Sequence, residues 1–379
     1  MNFVSQTYFN PGFNKSETLT ERLHALHQRL IISYPSIDRI ACAVYDPKED
    51  ALNTFVNSTR SGEPIEHYGI TLSQSASLKQ LATNGGVRVI DDIPSVTNDT
   101  TLHGAWLLKQ GYQSSLTVPM YSSGLFIGLI FFDSLVPAAF TPQVQRDLML
   151  YCNLINMSLS SEFSAVKSIV ATAHLARDFA QLRDFETGTH LERMARYSRI
   201  VAEKIAVTHG LTDEFIEHLF LFAPLHDIGK IGIPDEILLK PGKLSPDERA
   251  AMEQHVVKGV EIIKKIIGEF ELEHMPDSQL MQNVVSYHHE FYDGSGYPYK
   301  LKGEAIPIEA SIVTVADIFD ALTSDRPYKA AWSDEDAILE LECMADAGKL
   351  DPACVIALAS SLSEISHVRT AYQDVQCVL

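Results

Sequence analysis

The chain has 379 residues, more than one hydrophobic core comfortably serves, so two domains are the expectation. Apolar and charged contents of 46% and 21% are ordinary for globular protein. A net charge of -19 argues against a DNA or membrane-surface binder, which needs clustered Lys and Arg, yet leaves open a small phosphate-bearing substrate held through divalent metals.

Residues 1–19 read as an N-terminal tail, polar at first and carrying Pro11 and Gly12. Leu19, Leu23, Leu26 and Leu30 then recur at helical spacing, and His24 and His27 on that helix read as surface residues. Strand-like runs follow at residues 39–45 and 51–57 around the turn Asp46-Pro-Lys-Glu-Asp50, with a short helix over 73–82 and a strand over 87–91. Residues 114–121 and 125–133 give a further pair of strands about Ser122-Ser-Gly124. This order, with the phrase from Gly111 through Gly128-Leu-Ile-Phe-Phe-Asp133 to Phe140-Thr-Pro142, resembles a GAF domain over residues 20–160. The resemblance implies a sensor domain with a pocket for an unknown small ligand; dimerisation alone is the other role open to it.

No Gly or Pro occurs from Gln143 to Thr187. Val144, Leu148, Tyr151, Ile155, Leu159, Phe163, Val166, Val170 and Leu175 form an apolar stripe, so residues 143–187 are expected to be a linker helix packed on a partner copy or on the flanking domains. A homodimer follows from that reading.

The remaining chain alternates amphipathic helical runs with short loops, and an all-α bundle is expected. Ligand-type residues are spread through it. Glu186 and His190 stand four apart, on one face of a helix. His226-Asp227 ends an apolar run, His255 follows, then the pair His288-His289, then Asp317. Imidazole and carboxylate from several helices converging inward is the layout of carboxylate-histidine metal sites. The five cysteines, Cys42, Cys152, Cys343, Cys354 and Cys377, show no CxxC spacing, which argues against a thiolate zinc site and fits a reducing cytoplasm. Neither a signal peptide nor a membrane span is expected.

His226-Asp-Ile-Gly-Lys-Ile231, His288-His-Glu290, Asp293-Gly-Ser-Gly-Tyr-Pro298 and Asp325-Arg-Pro-Tyr-Lys329 together resemble the HD-GYP subgroup of the HD phosphohydrolases. The resemblance covers residues 165–365 and leaves 366–379 as a C-terminal tail. It implies metal ligands at His226, Asp227, His255, His288, His289 and Asp317, with Asp227 as the bridge. Glu186 and His190 match positions that admit a third metal in some members. Lys230 matches a lysine that holds substrate phosphate or protonates the leaving oxygen, and Tyr297, Arg326 and Lys329 match residues that embrace substrate. Asp320 and Asp325 read as helix caps or as groups that orient Arg326 and the histidines.

The architecture expected is therefore an α+β GAF-like sensor domain, a long linker helix and an all-α HD-type helical bundle. Two or three divalent ions suit the donor set, iron or manganese first. Two metals activate water and clamp a phosphate oxygen, while Lys230, Arg326 and Lys329 offset the remaining charge. The resemblance implies hydrolysis of cyclic di-GMP to pGpG, leaving open whether cleavage goes on to GMP, with cyclic GMP-AMP as an alternative substrate. Another class is a non-catalytic receptor for a cyclic dinucleotide, or for a diguanylate cyclase bound through the Gly-Tyr-Pro loop. A metal-dependent oxygenase is the third, and three cationic side chains beside the ligands make little sense in it.

Overall fold

The computed structural model describes residues 17–179, 188–269, 278–324 and 331–373. The chain divides into two compact units, the first ending at Ser161 and the second starting at Glu162. No described helix is long and apolar enough to cross a membrane.

In the first unit, α1 (Leu19–Ser33) starts at a capping box in which Thr18 and Glu21 satisfy each other's backbone N–H groups. β1 (Arg39–Asp46), β2 (Ala51–Thr59), β3 (Gly69–Thr71), α2 (Ala76–Asn84), β4 (Arg88–Ile90), α3 (Ile93–Val96) and α4 (Leu102–Gln110) follow. β5 (Ser114–Ser122), β6 (Leu125–Ser134) and, through Ser161, the first part of α5 (Pro142–Phe179) come next. The strands form one antiparallel sheet in the order β3-β2-β1-β6-β5-β4. Ser123-Gly124 joins β5 to β6 with φ of 51° and 81°, as a two-residue hairpin on right-twisted strands requires.

The period of two sorts the sheet's faces. Ile40, Cys42 and Val44, with Leu116, Val118, Ile130 and Phe132, are buried on one face. Helix α5 buries Leu148, Cys152, Ile155 and Leu159 in the same unit, and its Asn156 amide bonds both backbone groups of Tyr121. On the other face Ala43 and Leu129 pack with Leu52, Leu72, Leu78 and Leu81. Beside them Arg39 and Asp133 form a buried ion pair at 2.6 Å, with Trp106 over the guanidinium.

All five expected strands are present; the short edge strand β3 carried too few residues to announce itself. His27 corrects its surface reading: it is fully buried, with Nδ1 against the Ser58 hydroxyl and Nε2 on the Ile37 carbonyl, because α1 lays that face onto β2. The linker helix runs to Phe179 as the end of α5, and its expected continuation over 180–187 lies outside the described residues.

The described residues of the second unit form helices joined by loops, with no strand among them: α6 (Gly188–His209), α7 (Asp213–Phe222), α8 (Asp235–Leu238), α9 (Pro246–Glu269), α10 (Ser278–Tyr287), α11 (Ile308–Thr323), α12 (Asp334–Asp346), α13 (Pro352–Ala359) and α14 (Leu362–Ala371). Side-chain caps at Thr212, Ser333 and Asp351 set the starts of α7, α12 and α13. Helix α6 is the hub, burying Met194, Tyr197, Val201 and Ile205 among α7, α11, α13 and α14. Between α7 and α9 the chain makes two short 3-10 turns, Ala223–Leu225 and Ile228–Gly232, with His226 and Asp227 between them. The second turn presses onto α9 through Gly229. A Cβ there would stand 1.8 Å from the His255 carbonyl oxygen and 2.4 Å from the Gly259 nitrogen. Only glycine permits that approach, and it brings His255 beside Asp227.

Candidate metal centre

The histidines of this centre are aimed by backbone carbonyls. The Nδ1 of His226 meets the Ala223 carbonyl at 3.0 Å, that of His255 the Met252 carbonyl at 2.8 Å, and that of His288 the carbonyls of Val284 and Val285 at 3.1 and 3.2 Å. A carbonyl only accepts, so each Nδ1 carries the proton and, in the neutral ring, each Nε2 presents a lone pair. His190 is held likewise by a carboxylate, its Nδ1 at 2.7 Å from Asp320 Oδ2. Arg193 grips the same carboxylate with two bonds, at 2.6 and 2.9 Å.

These rings converge on Asp227. Its Oδ2 lies 3.2 Å from His226 Nε2 and 2.8 Å from Lys230 Nζ. Its Oδ1 lies 3.1 Å from His255 Nε2 and 3.6 Å from His288 Nε2. Asp317 Oδ1 sits 3.8 Å from His190 Nε2 and 3.9 Å from His226 Nε2. The donors sort into two groups, Asp227 with His255, His288 and His289, and His190 with His226 and Asp317, the atoms of each within 4.8 Å of one another. Asp227 turns one oxygen to each group.

Burial would raise the Asp227 pKa, but Lys230 and His226 reverse that and hold the carboxyl well below the usual range. Burial pushes His288 down against the pull of Asp227, and burial and then His288 push His289 well down. Two neutral rings and a carboxylate thus face one another. Among the described residues, the Nε2 atoms of His255 and His288 and Oδ1 of Asp227 are buried without a hydrogen bond. Lone pair against lone pair repels, and a cation between them removes the conflict. The donor set therefore fits metal ions, by geometry and by tautomer.

Seven of the eight expected ligands come together in these two groups; the eighth, Glu186, lies outside the described residues. Lys230 stands against Asp227, and Tyr297 stacks on His289 with ring centroids 4.7 Å apart. Arg326, Lys329 and Asp325 lie outside the described residues. His288 and His289 sit just past the C-terminus of α10, where the His288 ring bonds the carbonyls of the last turn. Asp320 orients a histidine, as read from sequence, whereas Arg193 was missed. Its only signal was a position three residues after His190, on the same helical face.

A third cluster, Glu162 with Glu214 and His218, was not anticipated. His218 is buried and lies 3.3 Å from Glu162.

Residues 18–159 match the GAF domain family, and residues 179–354 match the HD domain family. The chain is a GAF domain joined to an HD domain. Among its relatives is the cyclic di-GMP phosphodiesterase response regulator RpfG of Xanthomonas campestris, 44% identical over 189 residues, which are 50% of this chain and 47% of that protein. A cyclic di-GMP phosphodiesterase of Thermotoga maritima is 42% identical over 196 residues, 52% and 50% of the two chains. The 3'3'-cGAMP-specific phosphodiesterase 2 of Vibrio cholerae is 38% identical over 195 residues, 51% and 35% of the two. The match thus spans half or less of each relative's length.

Proposed function

We propose that this GAF–HD chain is a cytoplasmic, metal-dependent phosphodiesterase that hydrolyses cyclic di-GMP to pGpG and onward to GMP, under control of its GAF domain. The observation that carries the reading is the inward-facing set of Nε2 and carboxylate donors about Asp227, with Lys230 beside it. The names of the relatives supply the substrate class.

His226, Asp227, His255, His288, His289, Asp317 and His190 would hold two divalent ions, with Asp227 as the bridge; Glu186 would serve a third. Nitrogen and oxygen donors without thiolate favour iron or manganese. Such ions would supply Lewis acidity and lower the pKa of water at the site. The chain's own groups do the rest. Lys230 brings a positive charge to the mouth of the centre, for a substrate phosphate or the leaving oxygen. Burial and the Asp227 charge raise the Tyr297 phenol, which keeps its proton and can donate it in a hydrogen bond while its ring offers a stacking face. Arg326 and Lys329 complete the proposed phosphate contacts.

Cyclic GMP-AMP is the second reading, favoured by the 38% identity to a 3'3'-cGAMP-specific relative. The deciding experiment is anaerobic product analysis of ferrous- or manganese-loaded protein with each nucleotide, with Asp227→Ala as control. Linear product from wild type alone is expected. Intact nucleotide at full metal occupancy, with Asp227→Ala keeping its cellular effect, would instead mark a receptor, reached through the Gly-Tyr-Pro loop by a diguanylate cyclase.

Two partners belong to the same proposal. A second copy would cover Leu150, Leu154 and Met157 of α5, 69%, 54% and 67% exposed and spaced along one face. A small ligand bearing a ring and an anionic group would suit the GAF domain. There Arg88, partly desolvated, bonds the hydroxyls of Ser77 and Thr117, while Tyr68, Trp106 and Phe131 ring the neutral His103.

A further inference from the structure

Glu290 follows two proposed ligand histidines in sequence, but its carboxylate bonds main-chain N–H groups of residues 299–301. Both its oxygens are taken by backbone donors: Oε1 accepts from the N–H groups of Tyr299 at 2.7 Å and Lys300 at 3.1 Å, and Oε2 from Leu301 at 2.9 Å. The residue is 2% exposed. A carboxylate collecting three main-chain donors in the interior forms a strong, charge-assisted anchor. It also holds a strained turn, because Lys300 has φ of 58°, the left-handed region that costs a residue with a Cβ roughly 1–2 kcal/mol.

The loop between His289 and this anchor is the one that carries Tyr297. Its start is fixed by close backbone packing: a Cβ on Gly296 would stand 2.3 Å from the Phe291 nitrogen and 2.5 Å from the His289 carbonyl oxygen. That same carbonyl accepts the Tyr297 N–H at 3.1 Å, and the Tyr297 ring stacks on the His289 imidazole.

We infer that Glu290 is the positioning residue of the Gly-Tyr-Pro loop: it fixes the far end of the loop so that Tyr297 stays over His289, coupling the substrate-facing tyrosine to the metal ligands. The inference rests on the reading that Tyr297 meets substrate. The Glu290 carboxylate is engaged by the loop backbone rather than by the metal ligands, so its effect passes through Tyr297.

Glu290→Gln keeps the shape but loses the charge and turns an N–H group toward backbone donors. With cyclic di-GMP the variant should retain its metal content and keep kcat within about threefold, while KM rises about tenfold, the size of one lost charge-assisted bond. Glu290→Asp should recover part of that rise. In a Tyr297→Ala background Glu290→Gln should change KM less than about twofold, since the two act in series. Independent, multiplying effects, or loss of metal with KM unchanged, would overturn the inference. Amide hydrogen exchange reads the anchor without turnover: residues 299–301 should exchange faster in Glu290→Gln than in wild type. Should wild type turn nothing over, the phosphodiesterase reading falls while exchange still decides the anchor. Unchanged exchange in an active protein removes the anchor alone.

Discussion

In the GAF domain Arg39 and Asp133 bury a guanidinium against a carboxylate at 2.6 Å, so opposite charges meet inside the protein. In the HD domain Asp227 meets His255 and His288 through atoms that all carry lone pairs, because carbonyls on the far side of each ring hold the protons. The first arrangement is complete as the chain makes it. The second would be complete only with cations. Two centres of similar burial therefore answer to different tests: one to protein stability, the other to metal.

Removing Asp227 gives the largest effect. Asp227→Ala takes away a group turned toward both donor clusters, and turnover is expected to fall at least ~1000-fold with loss of bound metal. Adding a chelator should lower the Tm of wild type and leave that of Asp227→Ala unmoved. A chelator shift of equal size in both would break the contrast between the domains.

Removing one partner of the GAF pair should cost stability instead. Asp133→Asn leaves Arg39 charged and buried, at a cost of about 3–5 kcal/mol. The double change Arg39→Met with Asp133→Leu should recover most of it. Trp106 lies in the GAF domain and Trp332 in the HD domain, so urea unfolding followed by fluorescence in a Trp332→Phe background reports the right unit. Chelators should leave this transition in place.

A smaller effect is expected one step behind the metal centre. Asp320→Asn weakens the grip on His190 and frees half of the Arg193 clamp, and second-layer carboxylates of this kind contribute about 10–100-fold in metal affinity or activity. Metal titration followed by turnover measures both.

The sequence made the ligands legible because each is a residue type with little other business in an apolar helical run, and because His226-Asp227 and His288-His289 come as pairs. It did not say how they sort. Asp227 joins His255, His288 and His289, while its neighbour His226 joins His190 and Asp317. That partition depends on a turn pressed onto α9 at Gly229, a contact with no local signature. The strands of the GAF domain were visible through period two, but the Arg39–Asp133 pair was not, since it joins residues 94 apart. Helix α5 shows the same limit. Its apolar residues are dense enough to make two faces, and the spacing cannot tell which one packs at home. Leu148, Ile155, Leu159 and Val166 do, while Leu150, Leu154 and Met157 remain exposed.

A third way of burying charge sharpens the comparison, and it gives the smallest effect. Glu203 on α6 is pushed up to about 7, chiefly by burial, with Arg199 pulling it back and Glu217, Glu364 and Asp213 pushing it further. This carboxyl has neither the cation proposed for the Asp227 centre nor a full counter-charge, as Asp133 has; below its folded pKa it keeps its proton. The sign follows from linkage. Below pH ~4.3 Glu203 is protonated in both folded and unfolded chains and contributes nothing to the pH dependence. Between there and about 7 the unfolded chain releases the proton first, so stability falls as pH rises, and it levels off above the folded value. Glu203→Gln removes that slope. The variant should match wild type near pH 4 and exceed it at pH 8 by about 1–2 kcal/mol, seen as a higher Tm. A variant less stable than wild type at pH 8 would mean that Glu203 is ionised in the folded protein and held by Arg199, which would place it with Asp133 instead.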